Sequence, residues 1–299
     1  LTAGRYVAQF NEEEPIHPLM NTFFSLVVGE NYMKIYEKDF VDFEIRKRGD
    51  VVNFQFSGEF AKRRFLENTT DYSFGETGDL TSNAPENEIL DDTRFDEHDA
   101  VILSARADYR PWLKYRIYNG VKRPISGSSP TVSFLFRSGI GDTKFNQLEA
   151  GFSHHFKIGI QGFVDVAASA GFFPGSDKPE YLMDFKHFAG NQTPFITSDP
   201  VESYRLLPYY QFSVNSEYLT GHLHYQFRKF LLTRIPLVRL AGVREGFFTN
   251  YLYNDAANHY TELGYGINYI FRVIRIEAVT SFLDGKYYDW GVRIGIATN

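Results

Sequence analysis

The sequence predicts an all-β protein, and within that class a transmembrane antiparallel β-barrel. Three observations lead to this prediction: polar and apolar residues alternate along most of the 299-residue chain, helical periodicity is almost absent, and short turns alternate with long polar loops. The mean hydropathy of −0.31 fits such a barrel, because each strand presents one polar and one apolar face. The chain has no apolar run of about 18 residues, so no transmembrane helix is expected.

Composition argues against several other classes of protein. The chain has no Cys, which excludes a disulfide framework and a thiolate metal site. Its net charge of −6 argues against nucleic acid as a partner, because nucleic-acid binders neutralise phosphates with Lys and Arg. Aromatic residues make up 17% of the chain and gather near the ends of predicted strands, as the aromatic girdles of membrane barrels do.

The alternation is clearest near residue 220. Leu219, Leu223 and Phe227 would share one face of a strand, whereas His222 and His224 would share the other. Thirteen segments of this kind are predicted, and several match the ~9–11 residues that cross a membrane at a tilt. They are 2–10, 21–28, 32–48, 51–66, 98–109, 131–140, 145–157, 161–173, 218–228, 238–254, 259–269, 272–283 and 287–297.

The connections between these segments differ in length. Those near residues 49, 159 and 271 are short, whereas 67–97 and 174–217 are long and polar. One set of short turns and one set of long loops is the asymmetry of an outer-membrane barrel.

About 13 strands would make a barrel too wide for side chains to fill, so its polar faces would line a wet lumen and its apolar faces would contact lipid. The alternative is a pair of soluble β-sandwiches with aromatic cores. The segment 110–130 departs from the barrel pattern, because it is long where a short turn is expected. The odd strand count departs from it as well. Since the chain begins at Leu1, without a signal peptide and already within the segment 2–10, we expect strands to be missing ahead of it.

Several stretches of the chain resemble one family of outer-membrane proteins. They are NTFFSLVVGENYMKIYEKDF, AKRRFLENTTDYSF, PEYLMDFKHFAGNQ, SYRLLPYYQFSVNSEYLTGHLHYQF and LLTRIPLVRLAGVREGFFTNYLY. The family is of unknown function and occurs in the Bacteroidota. Its members usually carry an N-terminal carboxypeptidase-regulatory-like β-sandwich ahead of the barrel, and the resemblance extends over most of this chain.

That family in turn is similar to the superfamily of BamA, TamA and the two-partner-secretion transporters. The similarity implies a 16-stranded barrel whose long extracellular loop, before the twelfth strand, folds back into the lumen. Here 174–217 would be that loop, and five predicted strands follow it. Counting backwards makes 2–10 the fourth strand. Residues 1–299 would then be about 13 strands of a partial barrel, without its first strands and any periplasmic domain.

The lumen loop of that superfamily carries an Arg-Gly-aromatic tip that packs against the inner wall. This sequence has no such triplet in 174–217, which puts transfer of an insertion or secretion mechanism in doubt. It offers Gly190, Asn191 and Gln192, and later Arg205, as candidate contacts between the loop and the wall. Arg205 is expected to pair with an inward carboxylate such as Glu245 or Glu277, because guanidinium groups favour carboxylates. A contact of Arg205 with phosphate or solvent at the loop surface is the alternative.

The last predicted strand would lie at the barrel seam. An incompletely paired strand at such an edge can template the addition of another strand. Gly291 and Gly295 are expected to weaken pairing there and to permit kinking. The residues of interest in this seam strand are Tyr287, Trp290, Gly291, Val292 and Gly295.

No metal, other cofactor or enzymatic activity is expected. His222 and His224 share a face, but no third ligand is spaced to join them in a metal site. Ser153 lies beside His154, but the context of an activated nucleophile is absent.

We therefore expect a protein of the bacterial cell outer membrane that acts in envelope biogenesis, protein insertion or export, or as a component of an outer-membrane complex. Its expected partners are outer-membrane lipid, lipopolysaccharide and other outer-membrane or periplasmic proteins. The alternative functions are a diffusion porin or nutrient channel, and a structural or adhesion scaffold. A large steady conductance would favour the channel.

Overall fold

The computed structural model describes residues 1–69, 72–74, 80–125, 127–196 and 198–296, and this part of the chain is nearly all β. The strands are β1 Thr2–Gln9, β2 Ile35–Lys47, β3 Val52–Phe65, β4 His98–Tyr109, β5 Tyr115–Tyr118, β6 Val121–Pro124, β7 Thr131–Gly141, β8 Phe145–Ile158, β9 Gly162–Phe172, β10 Phe195–Ile196, β11 Tyr218–Phe227, β12 Arg244–Asn254, β13 Asn258–Ile270, β14 Ile274–Leu283 and β15 Lys286–Ile296. The helices are α1 Pro18–Val27 and α2 Pro236–Leu240, with 3₁₀ turns at Leu182–Asp184 and Leu232–Arg234.

Thirteen strands form one sheet in the order β1-β2-β3-β4-β7-β8-β9-β11-β12-β13-β14-β15-β10. Successive neighbours are antiparallel, except that β10 pairs in parallel with β15. The predicted all-β class is confirmed in a coarser form, as a nearly all-β chain with one large sheet of 13 strands. β5 and β6 form a separate hairpin, which accounts for the length of 110–130. Within the described residues, no helix has both the length and the apolar character needed to span a membrane.

The predicted strand 21–28 is wrong, because residues 21–27 belong to α1 and Val28 is its C-cap. Pro18 occupies the first turn, and the His17 side chain accepts a hydrogen bond from the Leu19 N–H, so the helix has a start signal. Asn21 and Phe24, three residues apart, are its buried residues. The Phe, Leu and Val residues of 23–28 resemble a buried strand in sequence, because no charged residue among them marks a polar face of a helix.

The predicted and observed sheets both have 13 strands, but they are not the same 13 strands. Twelve long strands occupy the sheet, and the thirteenth is β10, a two-residue strand within 174–217. The segment predicted as 238–254 begins only at Arg244, because Pro236 starts α2. Position 297 of the last predicted strand and position 197 of the long loop lie outside the described residues.

The two faces of the sheet differ in character. One, the open face, carries exposed apolar side chains such as Phe54, Phe134 and Trp290, which are 54%, 55% and 64% exposed. The other, the covered face, carries buried polar side chains such as Arg63 and Glu262. The segment 174–217, called the covering segment, packs on this covered face.

The core lies between the covered face and the covering segment. One cluster joins residues of β4, β8, β12 and β13 to the covering segment, and a second joins residues near β1 and β2 to the same segment. Their members include Ile102, Phe145, Leu252 and Tyr260 with Phe188, Tyr204, Leu207 and Phe212, and Phe10, Ile16 and Tyr36 with Leu182, Met183, Phe185, Tyr209 and Tyr210.

The sheet is strongly curved around this segment. The Tyr210 hydroxyl accepts a hydrogen bond of 3.0 Å from the N–H of Lys34, just ahead of β2. Phe212, two residues further on, packs against Tyr288 of β15 with ring centroids 6.4 Å apart. In a flat sheet, β2 and β15 would lie about 48 Å apart, since they are ten strand spacings of about 4.8 Å from each other. Two successive residues span only about 7 Å, so the two ends of the sheet must turn towards each other.

Candidate functional site: the covering segment and the last strand

Arg205 is the central contact of the covering segment, and its side chain is fully buried. Its Nε donates to Glu277 Oε2 of β14 at 2.7 Å. Its Nη1 donates to Ser203 Oγ at 2.6 Å, and its Nη2 donates to the Ser198 carbonyl oxygen at 2.9 Å. The guanidinium therefore joins the segment to the sheet and also organises the segment itself.

The backbone around Arg205 is held by a second carboxylate, that of Glu262 on β13. The N–H groups of Arg205 and Leu206 donate to it at 2.8 and 2.7 Å. The Tyr260 hydroxyl and the Asn250 side-chain amide also donate to it, at 2.8 and 3.0 Å. Glu262 is fully buried, and these four donors replace the water that its carboxylate loses.

Glu245, the other acid considered for Arg205, contacts a different part of the chain. It is two residues from Phe247, which is exposed on the open face, so it belongs to that face. Its carboxylate accepts hydrogen bonds from the N–H groups of Leu232 and Thr233, both at 2.9 Å. The strand alternation thus separates Glu245 from Arg205.

A second buried ion cluster lies at the other end of the covering segment. Arg63 of β3 places Nη1 3.0 and 2.9 Å from the two carboxylate oxygens of Asp184. Arg137 of β7 approaches the same carboxylate to 3.6 Å. A third pair joins Lys186 Nζ to Glu149 Oε2 of β8 at 2.8 Å. The covering segment is therefore fixed by charge to strands on both halves of the sheet.

Buried ion pairs of this kind contribute little net stability, but breaking one of them is costly. Removing two charges from water costs roughly what their attraction returns, whereas leaving one charge without its partner is strongly unfavourable. In the observed arrangement, Arg205 and Asp184 both have a partner on the sheet.

Gly190, Asn191 and Gln192 hold the covering segment to itself. A Cβ on Gly190 would lie 2.2 Å from the Leu207 carbonyl oxygen, so this position requires glycine. The Asn191 N–H donates to that same oxygen at 2.9 Å. Gln192 Oε1 accepts from the Tyr209 N–H at 3.3 Å. Of the four predicted loop contacts, Arg205 reaches the sheet, and the other three shape the loop that presents it.

The predicted seam strand is β15, and its residues divide between the two faces. Tyr287, Trp290 and Val292 are exposed, at 61%, 64% and 45%. Tyr287 and Trp290 are three residues apart and would normally lie on opposite faces, but the register with β14 shifts between Ser281 and Phe282. This irregularity lets both aromatic side chains reach the open face.

Gly291 and Gly295 face the covering segment. A Cβ on Gly295 would lie 2.5 Å from Ile196, and one on Gly291 would lie 3.0 Å from Leu206. β10 pairs with β15 at this point, where the Ile294 N–H donates to the Pro194 carbonyl oxygen at 2.7 Å. β15 is also paired with β14 along its length. The two glycines therefore allow close packing of the covering segment, which is a different reason from the weakened pairing expected for them.

His187 lies in the covering segment and is buried. Burial, together with the positive charge of Arg137, lowers the pKa of His187 to about 3. The imidazole is therefore neutral at pH 7, and its Nδ1 lies 2.7 Å from Ser213 Oγ. Burial also raises the pKa of Tyr209 to about 12, so this side chain carries no charge either.

The remaining histidines and serines considered for chemistry lie on β8 and β11. His222 Nδ1 lies 3.0 Å from Asn250 Oδ1, and His155 is hydrogen-bonded to Asp165. Ser153, His155 and Asp165 line a cavity of about 580 Å³. The described part of the chain contains no group of three potential metal-ligating side chains.

Sequence reasoning missed Arg63, Asp184 and Arg137. Both arginines lie on the polar faces of their strands, where polar side chains are expected, so only Asp184, which interrupts the apolar run YLMDF, offered a usable signal. Which arginine meets which acid could not be read from the sequence, since Arg63 and Asp184 are far apart along the chain.

These features define a nearly all-β protein whose curved 13-stranded sheet is covered on one face by a segment fixed through buried ion pairs. The chain belongs to the DUF5686 family of unknown function, since the profile of that family's C-terminal domain matches residues 1–267. No curated protein matches the chain.

Proposed function

We propose that this chain forms a β-barrel in the bacterial outer membrane, with the covering segment filling its interior. The observation that supports this most strongly is the difference between the two faces. The open face exposes apolar side chains on strand after strand, as a surface in contact with lipid does. The covered face carries polar residues and the segment 174–217, as the lumen of a plugged barrel does.

The curvature of the sheet supports closure. The contacts of Tyr210 and Phe212 bring the surroundings of β2 and β15 close together. Closing a sheet removes its unpaired edges, which hydrocarbon would otherwise have to accommodate at a large cost.

We further propose that the protein resembles the BamA-type superfamily in function, acting in envelope biogenesis, in protein insertion or export, or within a larger outer-membrane complex. In the structure, five long strands follow the covering segment, and Arg205 makes the inward contact that the resemblance gives to a loop-tip arginine. The residues flanking Arg205 are Tyr204 and Leu206, so the residue types around the contact differ from the superfamily pattern.

The membrane assignment is tested by reconstitution. The full chain should insert into phosphatidylcholine vesicles and resist extraction by urea. Recovery of the folded chain in the urea wash would contradict the barrel proposal.

The functional class is tested by conductance and by depletion. A barrel filled by the covering segment should show little steady conductance in a planar bilayer, whereas a porin would show large and selective currents. Depletion of the protein in cells should lower the levels of other outer-membrane barrels or of secreted proteins. If both remain unchanged, a structural or adhesion scaffold becomes the better proposal.

A further inference from the structure

The connections at the two edges of the sheet carry opposite charge. One edge, called the basic edge, consists of 48–51, 110–130, 159–161, 228–243 and 271–273, which together contain 11 Lys and Arg and a single acidic residue. The other edge includes the described connections 10–34, 66–69, 72–74, 80–97, 142–144, 255–257 and 284–285, which contain 14 acidic residues and 3 basic ones. Since the whole chain has a net charge of only −6, this separation is far larger than its composition suggests.

The turn 228–243 is the most apolar part of the basic edge. Leu231, Leu237 and Leu240 are 60%, 78% and 82% exposed, and the last two belong to the helix α2. The turn also contains Arg228, Lys229, Arg234 and Arg239, and the chain has no acidic residue between 228 and 244. An exposed patch of leucines in a turn rich in Lys and Arg is typical of a surface that lies in a membrane interface.

A dedicated carboxylate holds this turn against the open face. Glu245 accepts hydrogen bonds from the N–H groups of Leu231, Leu232 and Thr233 at 3.2, 2.9 and 2.9 Å. The ring of Phe230 also stacks on Phe227 of β11, with centroids 4.4 Å apart. Because Glu245 belongs to the open face, the exposed leucines continue the apolar surface of that face at its basic edge.

The hairpin β5–β6 repeats this composition on the same edge. Trp112, Ile117 and Tyr118 are 70%, 75% and 61% exposed. The surrounding cations are Lys114, Arg116, Lys122 and Arg123.

We propose that the turn 228–243 binds the bilayer surface through anionic phospholipid headgroups, with its leucines inserted at the level of the upper acyl chains. This inference rests on the proposed membrane location. Charge complementarity favours an anionic surface, and continuity with the open face favours a bilayer over a soluble acidic protein. Basic residues close to an anionic membrane each strengthen binding several-fold, and buried leucines add an apolar contribution.

The test uses the full chain folded in detergent micelles, with phosphatidylglycerol and phosphatidylcholine of identical acyl chains as the two probes. Native mass spectrometry gives the apparent affinity for each lipid. The variant R228Q/K229Q/R234Q removes three cations from the turn. The matched control R5Q/K62Q/R64Q removes the same charge from side chains outside the basic edge, where all three cations already pair with carboxylates.

The preference for phosphatidylglycerol should fall at least about tenfold in the turn variant and change by less than about twofold in the control. An equal fall of this preference in both variants would mean that the net charge of the chain alone causes it, which would overturn the proposal. An unchanged preference in the turn variant would overturn it as well. Chemical cross-linking provides a further check. If it traps a dimer of the wild-type chain that the turn variant loses while keeping its lipid preference, the turn binds a second copy of the chain and the proposal is overturned.

A second variant separates the apolar contribution. L237Q/L240Q should weaken binding of both lipids and leave their ratio unchanged, whereas a changed ratio with unchanged overall affinity would contradict the proposed insertion of the leucines. Failure of the wild-type chain to insert into phosphatidylcholine vesicles would instead contradict the proposed function. Insertion without any preference for phosphatidylglycerol would contradict only this inference.

Discussion

Two clusters of ion pairs use the same chemistry in opposite surroundings. On the covered face, Arg205 with Glu277 and Arg63 with Asp184 are at most 2% exposed. Near the acidic edge, Arg5 and Arg64 both pair with Asp39, and the Arg5 and Asp39 side chains are 63% and 37% exposed. Water screens the exposed cluster, so its members are replaceable, whereas each buried charge depends on its partner. The charges that determine the position of the covering segment are therefore those of the buried cluster.

The largest effect is expected from Arg205→Ala. The substitution leaves Glu277 buried without its cation, which should weaken docking of the covering segment by about 3–5 kcal/mol. Hydrogen exchange of the backbone amides in 174–217, measured on the full chain in detergent, would report this loss. Arg5→Ala serves as the matched control, and equal exchange in the two variants would contradict the comparison.

Gly190→Ala should have the next largest effect, although it changes no charge. Its Cβ would meet the Leu207 carbonyl oxygen at 2.2 Å, so the loop around it must shift. We expect a cost of about 1–3 kcal/mol, seen as faster exchange in the covering segment. Gly4→Ala, where nothing lies within 4 Å of the added Cβ, should leave exchange unchanged. Unchanged exchange in the Gly190 variant would show that close packing does not position the segment.

Acid should loosen the covering segment through His187. Its pKa is lowered by burial to about 3, whereas an exposed histidine titrates near 6.5. Protonation of His187 is therefore unfavourable while the covering segment is packed on the sheet. The stability that the neutral His187 contributes to this packing is fully present above pH 6.5 and is lost as the pH falls towards 3. At pH 5 the loss should be about 2 kcal/mol. Exchange measured between pH 7 and 5, with the intrinsic pH dependence removed, should show this decline, and His187→Gln should reduce it. An identical pH dependence in the variant would exclude His187 as the cause.

The smallest effect is expected from Arg64→Gln in the exposed cluster. Arg64 pairs with Asp39 and Glu97, and water can replace these contacts at little cost. Exchange in the covering segment and the midpoint of thermal unfolding should remain within experimental error of the wild type. A clear loss of protection in this variant would remove the distinction between the two clusters.

The difference between prediction and structure is instructive at α1. Alternation identifies strands because each residue of a strand faces one of two environments. The residues NTFFSLVV show no regular alternation of polar and apolar side chains, so their apolar character fits a capped helix as well as a strand. Capping by His17 and Pro18 was the decisive local feature, and it depends on which residue lies just outside the helix.

The outcome was different for the interior contacts. The prediction paired Arg205 with an inward carboxylate, because 174–217 was expected to fold into the lumen and guanidinium groups favour carboxylates. It could not distinguish Glu277 from Glu245, since a shift of one residue in a strand moves a side chain to the other face. Neither the role of Glu262 nor that of Asp184 could be found without the positions of strands that are distant in sequence.

By itself, the sequence determined the all-β class, most strand positions, the polar and apolar faces and the long segment 174–217, because these follow from local alternation and turn chemistry. Only the tertiary structure decided that this segment lies on the covered face, that Arg205 meets Glu277 while Glu245 holds a turn on the open face, and that charge separates between the two edges of the sheet. These features depend on strand order and register, which bring residues from distant parts of the chain together.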